Sequence, residues 1–281
     1  MKKIISASIV LYRNDSQIID TIKCFLNTDL PVKLFLIDNS PDNRLHNLLK
    51  EFIDDYKVEY IFNNKNVGFG TAHNIALRKS VSLSKYHLVL NPDIIFNQTV
   101  IPELVEYMDS RKDVGLVMPK IMYPDGSIQY VCKLLPAPYD LLFKRFIPVR
   151  FIQSHLNKFQ LKFTNYDKEM EVPYLSGCFM FIRVEALNYA GFFDENFFMY
   201  PEDIDLTRRI HKHYKTMFYP NVQVIHEHEQ GSYKSFRLFW IHIVNLIKYF
   251  NKWGWIFDKE RSTINKKILK NVGYKNKLNL K

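Results

Sequence analysis

Carboxylates stand at three places in the chain where they could handle a proton or a polar ligand. Asp38 closes the run Leu36-Ile37-Asp38-Asn39-Ser40. An acid just past a buried strand can accept hydrogen bonds from a heterocyclic N–H or a ribose hydroxyl. It can equally cap the backbone N–H groups of its own turn. Asp93 closes Asn91-Pro92-Asp93. One carboxylate there could share a hard cation, magnesium or manganese, with phosphate oxygens and water, or it could simply belong to an Asx-Pro turn. Glu202-Asp203-Ile204-Asp205 follows Pro201. Proline at the start and acids in the first turn favour a helix beginning here. Asp205 has Arg208 and Arg209 three and four residues on, the spacing of a structural ion pair. Asp203 points elsewhere on the helix and is left for a general-base role.

Two further stretches carry candidate ligands. Asn66-Val67-Gly68-Phe69-Gly70 leads into Thr71-Ala72-His73-Asn74. Glycines let backbone approach a phosphate or nucleoside closely. The third glycine of G-x-G-x-x-G would fall at His73, so this is not the dinucleotide fingerprint. His226-Glu227-His228-Glu229 places two histidines on one face of a strand. A zinc site needs a third or fourth close ligand, and none is evident. A single His226, beside phosphates and a cation, is the better expectation.

These residues need elements to position them. Residues 4–12, 32–37, 58–62, 87–90 and 114–118 read as short strands. Apolar residues at helical spacing lie between them, as in Ile18, Ile22, Phe25 and again in Leu45, Leu48, Leu49, Phe52. That alternation predicts an α/β fold with a mostly parallel sheet. Ligands in such sheets sit beyond the carboxyl ends of the strands. By that rule Asp38, the loop 63–70 and Asn91-Pro92-Asp93 converge on one edge. After Pro119 the pattern changes. Pro124-Asp125-Gly126 reads as a turn, and residues 130–172 read as an irregular insert covering a site. An apolar run over 174–183 contains Ser176-Gly177. Strands are expected near 217–219 and 222–225, then an aromatic helix over about 232–252. The chain thus divides into an α/β domain, 1–231, and a C-terminal amphipathic helix with a basic tail, 232–281.

With 281 residues, 47% of them hydrophobic, the chain can bury a full core. The formal net charge is +10, but residues 259–281 hold eight Lys/Arg against one acid. The basic character therefore belongs to the tail, which argues against a nucleic-acid-binding domain. The helix places Phe236, Phe239, Trp240, Ile243, Val244, Ile247 and Phe250 at intervals of three and four. An aromatic stripe beside a polybasic segment fits contact with an anionic membrane surface; packing on the domain would use the same stripe. The stretch 236–250 is too short and too polar to span a bilayer. Three cysteines without metal or redox spacing, and no signal-peptide pattern, predict a cytoplasmic location, with peripheral attachment to the membrane.

Taken in order, Ser8–Tyr12, Asp38-Asn39, Asn66-x-Gly68-Phe69, Ala72-x-Asn74, Asn91-Pro92-Asp93, Ser176-Gly177-Cys178-Phe179-Met180 and Gly191-Phe192-Phe193-Asp194-Glu195 through Glu202-Asp203 resemble glycosyltransferase family 2, in its rhamnosyltransferase-like branch. The resemblance covers roughly residues 4–250. It implies a GT-A nucleotide-sugar-binding fold and inverting transfer of a sugar to a glycan or lipid-linked acceptor in bacterial surface polysaccharide synthesis. It implies a donor site of Leu11, Tyr12, Asp38, Asn66, Gly68, Phe69, Asn74, Asn91 and Gly177, with Asp38 on the nucleobase. Asp93 and His226 would hold a divalent cation, magnesium or manganese, and Asp203 would be the base. Asn91 departs from the family's D-x-D pattern, which puts tight metal dependence in doubt. The branch points to dTDP-rhamnose as donor, with UDP-hexoses as the alternative. A nucleotidyltransferase is disfavoured because Arg13-Asn14-Asp15, after the first strand, lacks glycine.

Overall fold

The computed structural model describes residues 4–141, 149–227 and 236–275. His228, Glu229 and the expected helix start at 232–235 lie outside them. The strands are β1 (Ile4–Leu11), β2 (Val32–Asp38), β3 (Val58–Phe62), β4 (Ser84–Leu90), β5 (Ile94–Ile95), β6 (Val114–Met122), β7 (Cys132–Lys133), β8 (Met170–Glu171), β9 (Tyr174–Leu175), β10 (Phe179–Arg183) and β11 (Lys215–His226). The main sheet runs β3-β2-β1-β4-β10-β6-β11-β5, with β8 also paired to β11. The expected parallel sheet is present as β3-β2-β1-β4. Parallel pairing returns at β6–β11. Between these halves β10 runs antiparallel to both neighbours, so the whole sheet is mixed.

Helices cover both faces of the first half, so its strands are buried on both sides. Ile5, Ala7, Ile9 and Leu11 of β1 enter the main core, while Ser6 and Ser8 face the other way and are equally buried. Buried hydroxyls need partners. Ser84 Oγ donates to Ser6 Oγ at 2.7 Å. Ser6 Oγ lies 2.7 Å from His87 Nδ1, and Ser8 Oγ lies 2.8 Å from His87 Nε2 and 2.7 Å from His73 Nδ1. Burial pushes the His87 imidazole down to about 3 and that of His73 well below its ordinary value, so both are neutral.

Three parts of the chain differ from the sequence expectation. The insert is not irregular throughout, because it contains the 11-residue helix Val149–Phe159. The strands expected at 217–219 and 222–225 are one strand, β11, whose register shifts between Tyr219 and Gln223. Pro220 sits in that shift, where it has no N–H to offer the ladder. The basic tail is largely structured as the helix Lys259–Asn271, capped by Asp258, which accepts from the Arg261 amide at 2.8 Å. Ile268 of that helix is fully buried, and Asn265 exchanges two hydrogen bonds of 2.9 Å with the Leu135 backbone.

The expected ion pairing of Asp205 is half right. Arg209 Nε donates to Asp205 Oδ2 at 2.8 Å. Arg208 turns away, because a better acceptor reaches it from the C-terminal segment. Its two terminal nitrogens donate to both Asp258 oxygens, at 2.7 and 2.8 Å, and its plane stacks 4.0 Å from the Trp253 ring centre. Trp253 Nε1 and Lys252 Nζ, at 2.9 and 2.8 Å, take the other Asp205 oxygen.

The long helix Phe236–Trp253 packs through Asn245, Leu246, Tyr249 and Phe250. Of the stripe expected from the sequence, only Phe250 is buried; Phe236 (76% exposed), Trp240 (52%), Val244 and Ile247 face outward.

Arg208 and Asp258 are both almost completely buried. Arg208→Met should strand the Asp258 carboxylate and cost about 3–5 kcal/mol. Urea unfolding of the full chain measures this, and a loss under about 1 kcal/mol would show the pair to be dispensable.

Candidate active site

Where β4 ends, antiparallel β10 begins beside it, with Phe179 opposite Leu90. The Asn91 amide continues the pairing by donating to the Cys178 carbonyl at 2.9 Å. The next amide back, that of Gly177, donates to Asp203 Oδ2 at 2.9 Å. Asp203 Oδ1 accepts from the Ile204 amide at 2.7 Å. The helix Glu202–His211 therefore presents this carboxylate from its first turn, clamped by two backbone N–H groups. A side chain at Gly177 would sit 3.2 Å from Asp203 Cβ and 3.4 Å from the Phe69 ring, so glycine permits the approach. Asp203, Gly177, Phe69 and Asn91 thus meet.

Asp203 is 8% exposed. Burial raises its carboxyl to about 6, against the Gly177 hydrogen bond and the positive charge of Lys133. Glu202 beside it is pushed much further up, first by burial and then by Asp203, and its Oε2 has no hydrogen-bond partner. Both shifts run the same way because two adjacent buried carboxyls cannot both ionise cheaply. A carboxylate accepts about four hydrogen bonds, so Asp203 retains capacity for an incoming hydroxyl.

Asp93 and His226 come together because β5 pairs with the end of β11, Ile94 opposite His226. Asp93 Oδ1 lies 3.3 Å from His226 Nε2. Asn91 Nδ2 lies 3.4 Å from the same nitrogen. Gln129, which nothing in the sequence marked, orients the ring: its Oε1 is 2.9 Å from His226 Nδ1, and its Nε2 donates to the His226 carbonyl at 2.7 Å. Burial works to lower the His226 imidazole, but the Asp93 carboxylate and Cys178 outweigh it and raise it to about 10. Asp93 Oδ1 is buried without a good hydrogen-bond donor, while the rest of the side chain borders a cleft of about 530 Å³. The Asp93 carboxylate and His226 Nε2 could bracket a divalent cation once that ion displaces the imidazole proton, with phosphate oxygens and water completing its shell. Among the described residues, no group of three or more His, Cys, Asp or Glu is placed to hold a metal by itself.

Residues 6–190, well over half of the chain, match the profile of the family described as Glycosyl transferase family 2. The chain belongs to that family. It is 26% identical over 216 residues to the N-acetylglucosaminyl-diphospho-decaprenol L-rhamnosyltransferase of Mycobacterium tuberculosis, covering 72% of this chain and 68% of that one. It is also 26% identical over 220 residues to the rhamnosyltransferase WbbL of Escherichia coli, covering 74% and 79%. Among solved structures, GalNAc-T7 with UDP, GalNAc and Mn2+ superposes with a TM-score of 0.61 at 17% identity, over 80% of this chain and 43% of that one. The fold is GT-A. The protein is a glycosyltransferase with rhamnosyltransferase relatives.

Several residues expected at the donor site of this glycosyltransferase also have partners within the protein. Asp38 is fully buried; its Oδ1 accepts from the Ser40 amide at 2.8 Å and its Oδ2 from the Tyr60 hydroxyl, so the turn-capping alternative is realised. Leu11 is a core side chain whose carbonyl accepts from the Asn39 amide at 2.9 Å. Tyr12, just beyond it, is exposed. Asn66 Oδ1 accepts from the Gly68 amide at 3.0 Å and shapes the loop. The close approach expected of Gly68 is made to protein: a Cβ there would lie 2.5 Å from the Phe198 carbonyl oxygen, which also accepts from the Phe69 amide at 3.0 Å. Asn74 is buried and locks the same distant loop, donating to the Phe193 carbonyl at 2.9 Å and accepting from its amide at 3.0 Å.

Gly68 has φ +91°, a conformation in which a side chain is strained. Gly68→Ala should cost at least about 1–3 kcal/mol from backbone strain and detach the 193–198 loop. A lower melting temperature with faster proteolysis in that loop checks it; an unchanged melt would show that the loop tolerates displacement.

Proposed function

We propose that this glycosyltransferase transfers a hexose, best matched by rhamnose from dTDP-rhamnose, with inversion, to a glycan or lipid-linked acceptor in bacterial surface polysaccharide synthesis. The carrying observation is Asp203: a nearly buried carboxylate, anchored by two backbone amides, linked through Gly177-Cys178 and Asn91 to the Asp93–His226 pair. The two rhamnosyltransferase names support the donor, and the name of the mycobacterial relative supports a diphospholipid-linked acceptor. UDP-hexoses are the alternative donors.

In this reading Asp203 takes the proton of an acceptor hydroxyl as that oxygen attacks the anomeric carbon from the face opposite the nucleotide. The bond to the diphosphate oxygen breaks, and Asp203 holds the proton. The Gly177 and Ile204 amides keep the carboxylate aimed throughout, and Gln129 keeps His226 turned toward Asp93. A magnesium or manganese ion held through Asp93 and His226 would offset the charge gathering on the leaving diphosphate.

A lipid-linked acceptor would call for attachment of the enzyme at a lipid surface. The outward residues Phe236, Trp240, Val244 and Ile247, with Ile256 and the 94% exposed Phe257 beyond the helix, offer apolar anchors. Exposed Lys259, Lys266, Lys267 and Lys270 follow on the next helix. This combination fits an anionic bilayer surface. Among the described residues no helix is long and apolar enough to cross a membrane.

Asp203→Asn should keep the thermal shift given by dTDP- or UDP-sugars with magnesium or manganese, while transfer falls about 10²–10⁴-fold. In the parent enzyme the rate should fall as pH drops through about 6, because protonated Asp203 cannot accept the hydroxyl proton. Near-parental turnover in Asp203→Asn removes it from this role.

Vesicles containing phosphatidylglycerol should retain the full chain at moderate salt, and Trp240→Ser with Phe257→Ser should release it. Equal recovery with and without anionic vesicles would sink the membrane reading.

A further inference from the structure

The helix Ile18–Leu26 buries Ile18, Thr21, Ile22 and Phe25 on one face. Thr21 is the polar member of that face and is fully buried. A buried hydroxyl needs a partner. A helical threonine can return its hydroxyl to the carbonyl one turn back. Thr21 Oγ1 reaches out of its helix and donates to the Pro92 carbonyl, 71 residues on, at 2.8 Å. One turn further along the same helix, Cys24 Sγ accepts from the Phe96 amide at 3.4 Å. The helix thus grips the segment 92–96 at both ends, and Asp93 lies inside the grip. Asp20, Lys23 and Cys24 of the same helix also wall the cleft that Asp93 borders.

Because peptide units are planar, the direction of a side chain follows from the two units that flank its Cα. Before Asp93 that unit carries the Pro92 carbonyl, which Thr21 holds. After Asp93 it carries the Asp93 carbonyl, which accepts from the Glu227 amide at 3.1 Å. Both flanking units are anchored, and with them the Cα–Cβ bond that brings Asp93 Oδ1 to 3.3 Å from His226 Nε2. The Glu227 contact is made by backbone and continues the pairing of Ile94 with His226. The Thr21 contact is made by a side chain and does not follow from the sheet.

We propose that Thr21 is a positioning residue for Asp93: its hydroxyl, by holding the Pro92 carbonyl, fixes the direction in which the Asp93 carboxylate is offered to a divalent cation. This rests on Asp93 holding that cation in the proposed transfer. In this scheme Thr21 touches neither cation nor donor; it acts through the backbone.

The test compares Thr21→Val, which keeps the shape of the side chain and removes the donor, with Thr21→Ser, which keeps the hydroxyl. Mn2+ binding to the full chain in the presence of UDP or dTDP is measured by electron paramagnetic resonance of the free ion, with Asp93→Asn as the control for the site. Thr21→Val should weaken Mn2+ binding about tenfold, the lower end of what groups that orient a metal ligand contribute. Thr21→Ser should bind like the parent. Equal Mn2+ affinity in Thr21→Val and the parent would overturn the proposal, whether or not the melting temperature falls. An equal loss in both variants would overturn it too, because the hydroxyl is then not the cause. If the parent takes up no Mn2+, or Asp93→Asn binds it equally, the cation reading of Asp93 fails by itself. Hydrogen exchange in the metal-free chain then decides whether Thr21 holds Asp93. Faster exchange of the Asp93 and Glu227 amides in Thr21→Val, reversed in Thr21→Ser, sustains that part, and equal rates remove it.

Discussion

The Gly177 amide points at the Asp203 carboxylate across 2.9 Å, and the Cys178 carbonyl beside it accepts from the amide of Asn91. Neither contact exists unless β10 enters the sheet antiparallel between β4 and β6. That one insertion brings a helix start, a glycine and the end of a parallel strand to a single point. The fit is tight, since any side chain at residue 177 would press on Asp203 and Phe69. A carboxylate confined in this way keeps its direction but loses water, and the loss of water is what raises its proton affinity. Position and basicity at Asp203 have the same cause.

The helix bearing Asp203 is secured from behind by the C-terminal segment. One turn beyond Asp203, Arg208 is sandwiched between Trp253 and the carboxylates of Asp258 and Glu260. A buried guanidinium is tolerable only with such complete pairing. The long helix adds hydrogen bonds from Asn245 to Met199 and from Lys248 to Asn196, on the loop leading to Asp203. Its outward aromatic face and its inward grip on that loop belong to the same rigid element, so a surface that held one would steady the other.

The loop 193–198 is held from its other side by Gly68, Phe69 and Asn74. These residues carry the family signature, yet in this structure their backbone and amide groups are occupied by protein. The signature therefore marks the construction of the site as much as its contact surface. His73 illustrates this point. In the sequence it only spoiled a glycine pattern, but in the fold its ring joins Ser8, His87 and Ser6 in a buried polar chain that ties the helix Phe69–Leu83 to β1 and β4.

The sequence alone was enough to read the first four strands, the edge on which Asp93 falls and the family. Period-two and period-3.6 burial patterns, and the rule for carboxyl edges, are local and need no partner. The tertiary structure decided what depended on distant partners. Asp258 lies 50 residues beyond Arg208, so spacing within the helix pointed to Asp205 instead. Lys259–Asn271 resembled a solvated tail because its lysines outnumber the few apolar residues that dock, although Asp258 was a readable cap. The outward stripe of the long helix was visible as a pattern, but which face the domain covers was set by where Met199, Asp194 and Asp205 wait for it. Gln129 carried no signal, because it acts through His226, a neighbour that only the folded sheet supplies.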